Sequence, residues 1–270
     1  MSGLLSGPPP AGTEVPAAVA RLAASRPVRP VWRNQLGGLT FEIPGGGTGD
    51  RFVKWAPAGS GLDLGREATR LRWARPFTPV PRVVDEGADE HGGWLVTEAL
   101  PGDSAVVERW RADPGRAVDA IATGLRRLHD ALPVDDCPFS WSAEDRLAVV
   151  ARLDATGRLD PARWHSDHSV LGRREALARV SAPPPVDRLV VCHGDPCAPN
   201  TLIGRDGTWL GHVDLGSLGR ADRWADLAVA TWSLTWNYGP GWDRRLLDAY
   251  GVEPDLERTA YYRLLWDLGP

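Results

Sequence analysis

The sequence almost lacks lysine: of its 31 basic residues, Lys54 alone is not arginine. Lysine is a compact point charge on a flexible stem, whereas arginine is a planar fork. A coding bias toward arginine would replace most lysines at little physical cost. The survivor is either chance or a place where a fork will not serve. Cysteine is scarce too. Cys137, Cys192 and Cys197 are an odd number without framework spacing, which argues against a disulfide scaffold and for a reduced, cytoplasmic protein. No stretch approaches the ~20 apolar residues that span a bilayer. The start lacks a charged segment followed by an apolar core, so no signal peptide is expected. A basic stripe is missing as well, and the net charge is −4. That balance argues against nucleic acid as a partner and suits a small cationic one. Nothing in the composition distinguishes a monomer from a dimer.

What is present is an ordinary globular composition, 43% hydrophobic and 24% charged over 270 residues, enough for one large domain or two lobes. Residues 1–13, rich in Gly, Pro and Ser, read as a disordered lead. From there to residue 98 the signals are mostly β. Residues 31–43 read as strand, glycine turn, strand. Residues 44–50 form a turn, and 51–55 a strand carrying Lys54. A helix is expected over 63–74, with Leu64, Ala68 and Leu71 at helical spacing and Glu67 on it. Strands follow at 81–86 and 94–99. A Pro- and Gly-containing hinge, 99–102, leads to a mainly helical second lobe, 103–270. There Val118, Ile121, Leu125, Leu128 and Leu132 mark an amphipathic helix. Further helices are expected within 143–153, 169–180, 222–236, 242–250 and 255–267. One β island interrupts them: a strand at 189–192 and a hairpin of 201–203 with 209–214. The fold class is therefore α+β and bilobal.

The most informative stretch is 191–226. It holds His193-Gly194-Asp195, then Asn200, then Asp214-Leu215-Gly216 after the hairpin. A loop after a strand offers a carboxylate and an amide oxygen, and the hairpin returns a second carboxylate beside them. Such oxygen donors suit Mg²⁺ held with nucleotide phosphates. One carboxylate remains to orient a hydroxyl. That is a minimal kit for phosphoryl transfer. Each residue alone is commonplace; the ordered set is not. Cys192, His193, Cys197 and His212 could also be drawn as a zinc site, but their spacing fits no standard zinc pattern.

The ordered set HGDPCAPN, VDLG and GRADRWADLA resembles the signature of the aminoglycoside phosphotransferases, especially the 3′ type. The segment VPRVVDEGADEHGGWLVTEALPG resembles that family's strand and hinge. The resemblance runs from about residue 31 to the C-terminus and implies a protein-kinase-like fold. It implies Asp195 as the catalytic base or hydroxyl-orienting group, and Asn200 and Asp214 as Mg²⁺ ligands. Lys54 would bind the α/β-phosphates of ATP, or of GTP, with Glu67 as its partner. The backbone of Glu98 and Leu100 would read the adenine. Asn34–Thr40 would cover the phosphates, although it lacks G-x-G-x-x-G. His193 is expected to brace the loop, Asp226 to hydrogen-bond it from the next helix, and Asp222 to cap that helix. The implied acceptor is a small cationic aminoglycoside, met by Asp167 and Asp267 in an antibiotic-resistance or self-protection role.

The acceptor side departs from the family pattern. Trp266 replaces one acid of the C-terminal acidic pair, and Leu268 and Gly269 replace aromatics. Ser217 stands where arginine is common, and His165 where an acid is common. These departures leave open another small alcohol as acceptor, such as choline, a sugar or an amino-acid alcohol. A nucleotide-binding protein without catalysis is a third reading. Trp232 and Trp236, four apart on one helix, are either core or a pocket wall.

Overall fold

A computed structural model describes residues 7–45 and 49–269, so residues 46–48 of the expected turn and 1–6 of the lead lie outside the described residues. The chain forms two compact units, Met1–Pro101 and Gly102–Pro270.

The first unit is a five-stranded antiparallel sheet with two helices. The strands are β1 (Arg29–Arg33), β2 (Leu39–Ile43), β3 (Arg51–Pro57), β4 (Val83–Asp89) and β5 (Gly92–Glu98), in the order β1-β2-β3-β5-β4. Register pairs Lys54 with Thr40 on one side and Leu95 on the other, and Val53 with Phe41 and Val96. Side chains alternate across a strand, so these two sets face opposite ways. Phe41, Val53 and Val96 pack on Val19 and Ala23 of α1 (Ala17–Ala23). No helix is expected there from the sequence; its signal is the alanine-rich run with apolar residues four apart. The opposite face carries α2 (Leu64–Ala74), capped by Asp63, whose side chain accepts from the Arg66 N–H at 2.9 Å. The lead joins the sheet edge from Gly7, which exchanges backbone hydrogen bonds of 3.0 and 2.8 Å with Arg33. That is closer to the start than composition indicates.

The second unit holds the short β6 (Asp103–Ser104), α3 (Glu108–Ala112), α4 (Pro114–Ala131), α5 (Ala143–Ala155) and α6 (Arg173–Val180). The β island follows as β7 (Leu189–Cys192), β8 (Thr201–Ile203), β9 (Trp209–His212) and β10 (Gly219–Asp222). The chain then runs through α7 (Trp224–Tyr238), α8 (Asp243–Tyr250) and α9 (Leu256–Leu268). The apolar stripe of α4 is buried with the helices around it. Residues 219–222, which carry no strand expectation from the sequence, form β10, the antiparallel partner of β7. The helix starts only at Trp224, after the Asp222 carboxylate takes the Trp224 N–H at 3.0 Å. α6 lies within the expected 169–180, and residues 156–172 ahead of it hold turns and one short 3-10 helix, Pro161–Arg163.

Candidate active site

Two small sheets frame the site in the second unit. β7 ends at Cys192, opposite Gly219 of β10. β8 starts at Thr201, opposite His212 of β9. The loop 193–200 leaves the first sheet and enters the second, and 213–218 makes the return trip. Both loops therefore run between the same two anchors. The Val213 N–H donates to the Asn200 carbonyl at 3.0 Å, which brings Asp214 beside Asn200. The Asn200 side-chain N–H donates to the Asp195 carbonyl at 2.9 Å. Asp195, Asn200 and Asp214 thus converge.

Backbone conformation at the loop is unusual where contact demands it. Gly194 has φ +84°, and a Cβ there would lie 2.2 Å from the Ser217 carbonyl oxygen. Only glycine meets both demands. Asp214 has φ +69°, rare for a residue with a side chain. Such sparsely populated conformations persist where the surroundings over-determine them.

The loop is gripped from below. Asp226 of α7, fully buried, accepts the N–H of His193 at 2.6 Å and of Gly194 at 2.9 Å. Its third partner is His129 Nε2 of α4 at 2.9 Å, and His129 Nδ1 meets the Tyr250 hydroxyl of α8 at 2.8 Å. Burial alone would push the Asp226 carboxyl up. The His129 bond, the His129 and His193 charges and the Gly194 N–H outweigh it and hold the carboxyl below its ordinary range. Two turns along the same helix, Ser233 Oγ accepts the Ala198 N–H at 2.9 Å. His193 braces the return loop, its Nε2 lying 3.0 Å from the Val213 carbonyl. Among the described residues, the cluster with metal-ligand reach is His129, Cys192 and Asp226. The four-residue zinc set does not appear as a cluster there, and the hydrogen bonds of His129 and Asp226 account for their positions.

Asp195 is chemically distinctive. Its Oδ1 is buried without a hydrogen-bond partner, a costly state unless something else takes it. Its carboxyl is raised above the ordinary aspartate value, first by desolvation and second by the charge of Asp214. Two like charges held close, one with an orphaned oxygen, are what a divalent cation would relieve. The amide oxygen of Asn200 and the carboxylate of Asp214 are donors that fit Mg²⁺ held with nucleotide phosphates.

The other expected site residues fall in two groups. In the first unit, Lys54 Nζ pairs with both carboxylate oxygens of Glu67, at 2.7 and 2.8 Å. The Glu98 side chain is ion-paired with Arg82, and its N–H donates to the Arg82 carbonyl at 2.9 Å. Leu100 follows, half-buried, at the end of the unit. The Asn34–Thr40 segment is the β1–β2 turn. Asn34 Oδ1 ties it together by accepting from Leu36 and Gly38.

In the second unit, Asp167 and Asp267 part company. Asp167 lies on the irregular segment with its side chain 54% exposed. One of its oxygens accepts the Trp232 indole N–H at 3.0 Å. Asp267, on α9, is only 10% exposed and turned inward. It pairs with His168 and accepts the His165 N–H at 3.0 Å. Both contacts run through Asp267 Oδ2 and tie α9 to the 165–168 segment. Sequence reasoning missed His129, Tyr250 and Ser233, which show no spacing motif and reach the loop only through tertiary packing.

Comparison with known proteins agrees with this geometry. The family model of the phosphotransferase enzyme family matches residues 33–262. An aminoglycoside 3′-phosphotransferase of Streptomyces fradiae is 37% identical over 244 residues, covering 85% of this chain and 90% of its own. A streptomycin 3″-kinase of Streptomyces griseus is 35% identical over 230 residues, covering 78% and 82%. Among solved structures, the aminoglycoside phosphotransferase APH(3″)-Id of Streptomyces rimosus superposes with TM-score 0.76 at 28% identity, covering 93% of this chain and 95% of its own. A type VIII aminoglycoside 3′-phosphotransferase gives TM-score 0.75 at 36% identity, covering 85% and 88%. With the motif residues converging as that fold requires, the chain belongs to the phosphotransferase enzyme family and is a kinase-fold enzyme of the aminoglycoside phosphotransferase kind.

Proposed function

We propose that the protein transfers the γ-phosphoryl group of ATP to a hydroxyl of an aminoglycoside, giving a phosphoester and ADP. The observation that carries this reading is the convergence of Asp195, Asn200 and Asp214, joined through the Asn200 bonds to Asp195 and Val213. Asp195 is the base: its unpartnered Oδ1 accepts the acceptor hydroxyl's hydrogen bond and orients the oxygen for in-line attack. Asn200 and Asp214 hold Mg²⁺, which neutralises charge on the nucleotide phosphates. In the first unit, Lys54, fixed by Glu67, contacts the α/β-phosphates. The Glu98 carbonyl and the Leu100 backbone read the purine. Asp167 faces an ammonium group of the acceptor.

The setting is read as cytoplasmic. None of the three cysteines is in a disulfide, and no described helix is long and apolar enough to cross a membrane.

The test is ADP release with Mg-ATP across a panel of aminoglycosides, with choline, simple sugars and amino-acid alcohols as further arms. Turnover of at least one aminoglycoside, with product carrying one added phosphate, is expected. Silence across the aminoglycosides with turnover of another alcohol would overturn the acceptor assignment and keep the chemistry. ATP binding without any turnover would overturn both.

A further inference from the structure

We propose that Trp236 is a specificity-determining platform that receives a ring of the acceptor, working with Asp167 as its charged partner. The inference rests on the reading that the acceptor is an aminoglycoside, and it narrows which chemistry the site grips: an amino-substituted sugar ring, apolar on its C–H face and cationic at its edge.

Four observations carry it. First, Trp232 and Trp236 lie four residues apart on α7 yet have different surroundings. Trp232 is 2% exposed and belongs to the interior, whereas Trp236 is 44% exposed. The choice between core and wall resolves into one of each. Second, Trp236 is held rigidly. Its indole N–H donates to His165 Nε2 at 3.1 Å, and its ring lies tilted 5.1 Å from Trp232 and 5.6 Å from His165. A fixed aromatic surface loses little entropy when a ligand settles on it. Third, a carboxylate is fixed in the same cluster. Asp167 takes the Trp232 N–H with one oxygen and lies 3.3 Å from His165 with the other, and its side chain remains half open. Fourth, the cluster stands one helical turn from the catalytic loop. Asn237 donates to Ser233 Oγ at 3.2 Å, and Ser233 Oγ accepts the Ala198 N–H. A ligand on Trp236 is thus placed by the same helix that fixes the loop carrying Asp195.

The chemistry is complementary. An indole face attracts an ammonium group through its quadrupole and covers the C–H face of a pyranose ring. The carboxylate beside it pairs with an ammonium on the ring edge. His165 links the two: its Nε2 accepts the Trp236 indole N–H, and its Nδ1 accepts the Asp167 backbone N–H at 3.2 Å. An acid at 165 would offer Trp236 a charge instead. The departure of His165 from the family pattern and the exposure of Trp236 therefore belong to one local solution.

The test is steady-state kinetics on an aminoglycoside that the wild-type protein phosphorylates, varying nucleotide and acceptor separately. Three variants are compared: Trp236→Ala, Trp236→Leu and Trp236→Phe. Ala and Leu should raise the acceptor KM on the order of tenfold, as loss of a cation–π contact predicts. The kcat and the nucleotide KM should stay within about twofold, because the aromatic ring touches neither reacting atom nor nucleotide. Phe, which restores a ring face, should recover most of the acceptor affinity. Leu restores bulk without a π face, so it separates recognition from packing and stands in if the Ala variant fails to fold. An active wild type with an unchanged acceptor KM in Ala and Leu overturns the platform alone. So does a Phe variant no better than Leu, or a nucleotide KM that rises in step with the acceptor KM. A wild type silent on every aminoglycoside overturns the proposed function, and the platform with it.

Discussion

At the scale of single residues, the site reads as a set of charges placed where they cost something. Asp195 is half-buried, beside another carboxylate, with one oxygen unpartnered. Replacement by alanine should lower kcat at least about 100-fold, within the range for loss of a general base, while circular dichroism shows an intact fold. Its carboxyl should titrate above the ordinary aspartate value, as read by carbon NMR of the labelled side chain. Asp214→Asn should lower that value by removing the like charge, and part of the shift should persist because desolvation is the larger cause. A raised carboxyl also works against stability at neutral pH, since the unfolded chain ionises it more readily. Lys54 is the plainest case of a residue legible from sequence. Its isolation among 30 arginines marks it out, and its bidentate contact with Glu67 places it. Lys54→Arg should raise the nucleotide KM on the order of tenfold, because the planar fork cannot reproduce a single ammonium between two carboxylate oxygens. Normal nucleotide kinetics in that variant would make the lone lysine an accident of composition.

At the scale of elements, α7 is the organising piece. Asp226 holds the first turn of the catalytic loop, and Ser233, two turns on, holds its end. Replacing Asp226 by alanine would strand two buried N–H groups and His129. We expect a loss of roughly 3–5 kcal/mol in stability, the cost of breaking a buried network by removing one member. Urea melts measure it. Asp226 is held below its ordinary range when folded, so its contribution is present above the unfolded aspartate value. It is lost as pH falls from there through the depressed folded value. Asp63→Ala should cost about 1 kcal/mol by uncapping α2. It should disturb nucleotide use more than acceptor use, because α2 carries Glu67. The sequence makes these elements legible unevenly. The strands around Lys54 and the amphipathic α4 follow from period and turn signals. β10 does not, because GRAD carries no strand signal of its own and pairs only through β7. Residues 156–172 carry no local signal for a related reason: their order comes from contacts of His165 and His168 with Asp267 across the chain.

At the scale of the whole molecule, the account is of two units with separate duties. The first keeps a lysine–glutamate pair on a β-sheet framework; the second keeps three oxygen donors on two loops strung between small sheets. The chemistry was visible in sequence because its residues are ordered and close in number: 195, 200 and 214. The acceptor side was less visible because its groups come from 165–168, 232–236 and 267, segments that only folding brings together. There Asp167 is half exposed, Asp267 faces inward, and Trp236 stands exposed on α7. The most direct test of the central claim is mass spectrometry of aminoglycosides incubated with Mg-ATP and either wild-type protein or Asp195→Ala. The account predicts a singly phosphorylated aminoglycoside with the wild type and essentially none with the variant over the same time. Equal phosphorylation by the variant, or an unmodified panel with the wild type, would contradict it.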